Sequence, residues 1–512
     1  MKKIVYSILI SSLFFASCKK FLDTTPTDFL SPKNYYKTEA EVKVALAGVY
    51  DVLGKSETYG RYLFFEMDVA DDSFIALSTW TQDVGLYNYS PGDVKIEATW
   101  STLYNGINRA NVLLESLNDS SLPEATKKVA EGQALFLRAY YYFILVNNWG
   151  NVPLRLTATA STSEVNFPRT PYKTVYQQII SDMEKAADLV DKTADGSRVT
   201  QPVVWGMLAR VNLKMAGAPL RDKSRYAEAA KWAKKVMDES GSKLNADYTE
   251  VFKNLCRDVF EPKEVLWEVS FGNYNSSQVE EGAVGGINGI GTSNLTIGYS
   301  YGAKHTVKSY YDSFETGDLR RDWNINTYYY TSATDATKIA YSPTAIYNRC
   351  DAKFRREYEL ASSGKFTNTT AIDFPLLRYA DVLLMYAEAE NEVNGPANAY
   401  NAINQVRRRA FGLPVDATSA VDLQGLDQDG FRNAVRAERS KELGYEGLRR
   451  FDLVRWGQFV PAMKAVANEM VNATGYTYGA RSGQNVTAKD TLFAIPSSEM
   501  ALNKEMVQNP GW

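Results

Sequence analysis

The chain has 512 residues, and its 57 Lys and Arg nearly balance its 60 Asp and Glu, which leaves a formal net charge of −3. With no long basic block, this balance argues against a nucleic-acid-binding protein. The single histidine, His305, argues against a zinc site and against a Ser-His or Cys-His catalyst. The 33 tyrosines, 22 phenylalanines and 9 tryptophans are instead typical of exported proteins with aromatic binding faces, although most of them are expected in helix interfaces.

The N-terminus has the pattern of a lipoprotein signal. Two lysines precede the apolar segment Ile4–Ala16, which is too short to cross about 30 Å of hydrocarbon but fits a secretory signal. Small residues then lead to Cys18. The pattern predicts a signal peptide over residues 1–17 and acyl chains on Cys18 that attach the protein to a membrane. The competing interpretation is an ordinary signal peptide followed by an incidental cysteine.

Helical patterns dominate the rest of the chain. Thr38 and Glu41 form a capping box that opens a helix ending near Leu53. After Pro123, the segment 134–146 is apolar nearly all round, so we expect a helix buried on every side. The further predicted helices cover about Ala98–Leu117, Tyr172–Val190, Pro202–Ala216, Arg225–Glu239, Tyr379–Val393, Pro396–Phe411 and Gly430–Gly444.

Two helical hairpins share a design with small residues at the crossing, one near Gly217 and the other near Gly395. They resemble diverged tetratricopeptide repeats. The segment 264–271 alternates as a strand does, and the remainder of 270–375 is loop-rich and aromatic. The prediction is a mainly α fold in which tetratricopeptide-like pairs form a scaffold with few short strands and a loop-rich ligand-binding face.

Length alone suggests about three domains, yet no linker supports a division. Gly-, Ser- and Thr-rich stretches, including Tyr476–Thr487, are followed by structured patterns and are predicted to be surface loops. We therefore expect one domain over 18–512, with an N-terminal part to about residue 220 and a C-terminal part from about 221.

Charges alternate in sign from Glu438 to Arg455. The functional interpretation is a charged ligand site, but an ion-pair network that fastens the C-terminal region to the helices is favoured. Arg138 and Arg378 are each expected to pair with a buried carboxylate or to cap backbone carbonyls. Cys256 and Cys350 remain after lipidation, and the sequence does not decide whether they pair.

Ligand contacts are expected in irregular aromatic segments, because loops on a rigid scaffold often carry recognition. The segment Asp71–Tyr89 offers Trp80 beside Asp71 and Asp72, and a second segment offers Tyr299, Tyr301 and Trp323. A flat ring can pack on the apolar face of a sugar while polar groups fix its hydroxyls. The competing interpretation for each aromatic residue is core packing.

No catalytic residues are predicted. Glycosidases need two carboxylates about 5–10 Å apart across a sugar, and the neighbours Asp71 and Asp72 do not face each other. No metal or cofactor is predicted either, although loop carboxylates could hold calcium through oxygen ligands.

Six segments distributed along the chain are similar to those of a known family. They are CKKFLDTTP at 18–26, WSTLYNGINRANVLL at 100–114, AEGQALFLRAYYYFILVNNWGNVPL at 130–154, LLRYADVLLMYAEAEN at 376–391, ERSKELGYEGLRRFDLVRWG at 438–457 and QNPGW at 508–512. On these segments the chain resembles the SusD/RagB family of outer-membrane nutrient-binding lipoproteins.

The resemblance implies a glycan-binding, non-enzymatic protein on the Gram-negative cell surface that delivers its ligand to a SusC-like TonB-dependent transporter. It also implies an aromatic ligand contact in the loop of Trp80. Outward display on the cell surface is favoured. Because Lys19 and Lys20 follow Cys18 where exported members often carry acidic residues, retention on the inner leaflet stays open. The alternatives for the ligand and class are an oligopeptide-binding RagB-like lipoprotein and a helical-repeat structural adaptor.

Overall fold

The structure is a computed structural model, and it describes residues 36–118, 121–161, 163–193, 197–272, 282–360 and 365–512. The predicted signal peptide and Cys18 lie outside these residues. Within the described ranges, no helix is both long and apolar enough to cross a membrane.

The longer helices follow the predicted periodicity closely. They are α1 Glu39–Gly54, α2 Val94–Asn118, α3 Glu124–Trp149, α4 Tyr172–Leu189, α5 Gln201–Ala216, α6 Arg225–Glu239, α10 Tyr379–Asn394, α11 Tyr400–Ala410 and α12 Gln428–Leu443. The capping box at the start of α1 is confirmed. The Thr38 hydroxyl accepts from the Glu41 amide at 3.2 Å, and the Glu41 carboxylate accepts from the Thr38 amide at 2.8 Å.

Successive helices from α1 to α6 pack against one another, and α10 continues the stack by packing on α6. The paired arrangement is tetratricopeptide-like, and α5/α6 and α10/α11 are the two predicted hairpins. Every residue from 134 to 146 of α3 is buried, as its apolar pattern predicts. A Cβ atom on Gly206 of α5 would lie 2.5 Å from Leu377, so this glycine lets the helix approach the neighbouring strand closely.

The strands are short, and in the described part of the chain they form three two-stranded antiparallel ladders. β1 Ser73–Ile75 pairs with β3 Lys304–Thr306, and β2 Val265–Val269 pairs with β6 Phe374–Arg378. The third ladder joins β4 Tyr328–Tyr330 and β5 Lys338–Ala340. The predicted strand at 264–271 is therefore confirmed, with β2 shorter by a residue or two at each end.

Short helices lie mainly in the second half of the chain. They are α7 Tyr248–Cys256, α8 Lys308–Asp312, α9 Arg320–Asn324, α13 Arg449–Arg455, α14 Phe459–Met470, α15 Arg481–Asn485 and α16 Ser497–Leu502. The prediction that Tyr476–Thr487 is a loop is wrong in part, because the segment contains a 3-10 turn at Thr477–Ala480 and then α15.

The charged segment 438–455 forms the expected buried ion-pair network. The guanidinium of Arg378 lies 3.0 Å from Glu442 and 2.7 Å from Glu446, and Arg409 lies 2.7 Å from Glu442. Burial alone would raise the pKa of Glu442, but Arg409, Arg378 and Arg320 hold the pKa at about 2. The network ties α12 to β6, α9 and α11.

Arg138 also has the predicted buried partner. Its guanidinium makes two bonds to Asp182 of α4, at 2.8 and 3.0 Å, and donates to Asn111 of α2 at 2.9 Å. One side chain thus joins three consecutive helices. Cys256 and Cys350 are both buried and are not bonded to each other.

Candidate functional site

The β1/β3 ladder brings the two predicted ligand segments to the same place. Ile75 pairs with Lys304, and the Ala76 amide then donates to the Ala303 carbonyl at 2.9 Å. Because the strands are antiparallel, the chain leading to Trp80 and the chain arriving from Tyr299 and Tyr301 meet at one end of the ladder. Ala76 and Ala303, which are more than 200 residues apart in sequence, are therefore neighbours.

Trp80 is half-buried at the end of the first segment. The Lys95 ammonium lies 5.3 Å from the centre of its ring, which is the distance of a cation–π contact. Arg481 of α15 donates to the Trp80 carbonyl at 2.6 Å and to the Ser78 carbonyl at 2.7 Å. The loop is thus held from two sides, and part of the indole remains open to solvent.

A group of tyrosines continues the surface beyond Arg481. The buried Phe74 of β1 makes edge contacts with Tyr347, Tyr476 and Tyr478, at ring distances of 6.1 to 6.4 Å. All three phenols are partly exposed, and the Tyr478 ring lies 5.9 Å from the Arg481 guanidinium. Phe74 therefore acts as the buried support for three rings that face outward.

The same surface extends to Tyr341 and Tyr329. Tyr476 donates to the Asn348 side chain at 2.5 Å, and Tyr341 donates to the Asn348 carbonyl at 3.0 Å. The rings of Tyr341 and Tyr329 lie 5.0 Å apart. We name this surface the aromatic band, and its members are Trp80, Tyr478, Tyr476, Tyr347, Tyr341 and Tyr329.

The band can donate hydrogen bonds as well as offer apolar rings. Burial, reinforced by the nearby Glu469, raises the pKa of Tyr347 to about 12, so the phenol stays protonated at neutral pH. Its carbonyl accepts at 2.7 Å from Nδ1 of His305, which must therefore carry the proton. The only histidine of the sequence thus supports the band through the Tyr347 backbone.

Tyr299 and Tyr301 form a separate aromatic pair at the other predicted segment. Their rings meet edge to face at 5.0 Å, and the Tyr301 side chain is 49% exposed. The Tyr301 hydroxyl donates to Asn368 at 3.4 Å. Tyr301 is available to a ligand in this arrangement.

Two predicted contacts are buried, and we correct their assignment. Trp323 is only 6% exposed, with the Arg355 guanidinium 4.1 Å from its ring centre, so it belongs to the core. Asp72 is 3% exposed and accepts from Ser73 at 2.9 Å. Burial also raises the pKa of Asp72. Asp72 is therefore a poor partner for a sugar hydroxyl at the surface.

Asp71 is partly exposed but already engaged. Its two carboxylate oxygens accept from Arg449 at 2.6 and 2.8 Å. This two-bonded pair fixes the start of the Trp80 loop to the charged segment 438–455. Asp71 therefore positions the loop, and a ligand contact through it would have to compete with the arginine.

Sequence reasoning missed five members of the band, Tyr329, Tyr341, Tyr347, Tyr476 and Tyr478. Tyr476 and Tyr478 lie in a stretch that looks like a plain surface loop, and the other three lie in the aromatic, loop-rich part of 270–375. The available signal was the aromatic density itself. No group of three metal-binding side chains in the described part of the chain is arranged to hold a metal ion.

Comparison with known proteins adds independent findings. A model of the SusD family matches residues 155–512, and a model described as starch-binding associating with outer membrane matches residues 20–213. The SusD-like protein P25 of Formosa agariphila is 26% identical, over 99% of this chain and 97% of its own length.

Two Bacteroides thetaiotaomicron proteins are also similar. The starch-binding protein SusD is 24% identical, over 83% of this chain and 80% of its own length. The crystal structure of a SusD homolog is 30% identical and superposes with a TM-score of 0.87, covering 94% of this chain and 98% of that chain.

Proposed function

Because the chain belongs to the SusD family, we propose that it is a non-enzymatic lipoprotein that binds glycans at the cell surface and delivers them to a SusC-like TonB-dependent transporter. The observation that carries the glycan proposal is the aromatic band. The family's association with the outer membrane and with starch binding supports it.

The chemistry of the band suits a carbohydrate. A pyranose ring has an apolar face that packs on an indole or phenol, and its rim of hydroxyls needs hydrogen-bond partners. The phenols of the band supply both, and the exposed Asn348 lies among them. Several rings in a row favour a chain of sugar residues over a single monosaccharide.

The anchoring proposal rests on the N-terminal sequence. Removal of residues 1–17 would leave Cys18 as the first residue of a single 18–512 domain, and acyl chains on its thiol would hold the protein at the outer membrane. Asp71, although paired with Arg449, and the exposed Tyr301 are secondary candidates for ligand contact beside Trp80. Neither a cofactor nor a metal is part of the proposal.

A glycan array with the soluble protein that lacks residues 1–18 tests the proposal. We expect binding to at least one oligosaccharide, and Trp80→Ala should weaken it at least tenfold, or about 1.4 kcal/mol, without changing thermal unfolding. Trp232→Ala is the matched control, because Trp232 is a partly buried tryptophan on α6 outside the band.

Three outcomes would count against the proposal in part or in whole. An unchanged affinity of Trp80→Ala would remove Trp80 from the site. If no glycan binds and a peptide library does, the oligopeptide alternative is correct. If neither class binds, the chain is a structural adaptor.

A further inference from the structure

A second candidate site lies on another part of the molecule. A cleft of about 480 Å³ is bounded by Tyr50 and Asp51 of α1 on one side and by Asp258, Glu268 and Ser270 on the other. Arg198 and Phe260 also line it. None of these residues belongs to the aromatic band, and the proposed function does not use them.

The cleft contains buried carboxylate oxygens without partners. Glu268 of β2 is 2% exposed, and neither of its carboxylate oxygens has a hydrogen-bond partner. The adjacent Asp373 is 1% exposed. One of its oxygens accepts from the Phe271 amide at 2.8 Å, and the side chain also lies in hydrogen-bond reach of the Asp258 carboxyl. The two Glu268 oxygens thus remain unsatisfied at the wall of the cleft, although buried polar groups in proteins are nearly always paired.

Among the described residues, Arg198 is the only cationic residue that lines the cleft, and it stacks on Tyr50 with its guanidinium 4.6 Å from the ring centre. Asp51, across the cleft, is paired with Lys55 and Arg109. Residues 194–196 and 273–281, which flank Ser197 and Gly272 in sequence, contain no lysine, arginine or histidine.

Without a cation, the Glu268 and Asp373 carboxyl groups must hold protons. Burial, together with the nearby Asp258, raises the pKa of Glu268 to about 8, and burial together with Glu268 raises the pKa of Asp373 well above its ordinary value. Glu268 is therefore largely neutral at pH 7. A cation that entered the cleft would favour the carboxylate and release that proton to solvent.

The geometry indicates what kind of cation would fit. Within the described part of the chain, Asp258, Glu268 and Asp373 are not arranged to hold a metal ion. An ammonium group supplies N–H donors for the two unpartnered oxygens of Glu268 and a positive charge that favours its carboxylate form. We propose that this cleft binds the primary ammonium group of a ligand, with Glu268, which lines the cleft, as its acceptor.

Two sources of a primary ammonium group need to be distinguished. One is an amino sugar, represented by a deacetylated chitooligosaccharide, and the other is a lysine side chain, represented by Nα-acetyl-lysine amide. Each probe has a control in which the amine is acetylated and carries no charge. Isothermal titration calorimetry of the protein without residues 1–18 measures all four.

We expect at least one ammonium probe to bind and its acetylated counterpart to bind at least tenfold more weakly. Glu268→Gln should weaken the ammonium probe at least tenfold, since it keeps the shape of the side chain and removes its negative charge. Glu184→Gln, on the exposed side of α4, is the matched control and should change nothing. Binding to the wild-type protein should also release a proton at pH 7, seen as a heat that depends on the ionisation enthalpy of the buffer.

The proposal is overturned if neither ammonium probe binds at millimolar concentration, or if Glu268→Gln binds as tightly as the wild type. Trp80→Ala should leave ammonium binding unchanged, so failure at this cleft and failure at the aromatic band are separate results.

Discussion

Tyr476 has a ring and a hydroxyl that could both contact a sugar, and the two can be separated by substitution. Its ring contacts Tyr347 at 5.8 Å, and its hydroxyl donates to Asn348 at 2.5 Å. Tyr476→Ala should lower glycan affinity about tenfold, because both the apolar ring and the hydroxyl are lost. Tyr476→Phe keeps the ring and should cost only about 1 kcal/mol, the usual value of one hydrogen bond. Calorimetric titration with the oligosaccharide identified on the array measures both.

An equal loss in the two variants would show that the hydroxyl, not the ring, carries the contact. Trp232→Ala again reports whether a change of aromatic content outside the band has any effect.

The sequence could predict only part of this site, for a reason visible in its residues. Trp80 stands out because it lies beside polar residues in an irregular segment. Tyr476 and Tyr347 have no such local signal, and they become neighbours only because both pack on Phe74, a residue of a distant strand. Long-range packing also explains why the prediction for Trp323 was wrong. Its position beside charged residues suggested an exposed side chain, but Arg355 covers its ring.

Glu268 should make the stability of the protein depend on pH. Because its folded pKa of about 8 lies above the ordinary value of 4.5, the folded state holds a proton that the unfolded state has lost between these pH values. Stability should therefore fall as the pH rises from about 5 to about 8. In Glu268→Gln this fall should be smaller, as measured by the melting temperature across that range. A wild-type melting temperature that rises over the same interval would contradict the assignment.

At the scale of elements, the ion-pair network around α12 stabilises the packing of this helix on β6, α9 and α11. Glu442 is fully buried and lies between the guanidinium groups of Arg378, Arg409 and Arg320. Glu442→Gln removes the negative charge and leaves buried arginines undercompensated, which should cost about 3 kcal/mol in unfolding free energy. Chemical denaturation measures the loss.

The matched control is Glu239→Gln at the end of α6, where the carboxylate pairs with Lys235 on the surface. Such exposed pairs are worth well under about 1 kcal/mol, so this variant should unfold like the wild type. If Glu442→Gln is equally stable, the network does not fasten the C-terminal region.

Element prediction succeeded where apolar periodicity was strong, and it missed several of the shorter helices, among them α7, α13 and α14. Helices α1 to α6 have clear apolar stripes, and α6 begins and ends at the predicted residues. Helix α13 was not predicted, because four of its seven residues are charged and three of those, Arg450, Asp452 and Arg455, are nevertheless buried in ion pairs and hydrogen bonds. Helix α11 starts four residues after the predicted Pro396, since the Ala399 amide first closes a turn on the Pro396 carbonyl.

At the scale of the whole molecule, hydrogen bonds join the C-terminal segment to the first half of the chain. The Asn509 side chain donates to the Trp149 carbonyl at 3.0 Å and to the Phe493 carbonyl at 2.7 Å, and Trp149 donates to the Ala494 carbonyl at 3.0 Å. The two family-matched regions are thereby joined through buried contacts. This arrangement agrees with the expectation of one domain over 18–512, which stays a prediction.

How the whole molecule is placed in the cell depends on Cys18. Acyl chains contribute about 0.8 kcal/mol for each buried methylene, so two or more chains on one residue give durable attachment. Cys18→Ala removes the thiol that would carry them, and the variant should move from the washed membrane fraction to the soluble fraction. Ser17→Ala is the neighbouring control, since it keeps the thiol and a small residue before it, and it should stay with the membrane. Persistent association of Cys18→Ala with the washed membranes would count against lipid attachment through Cys18.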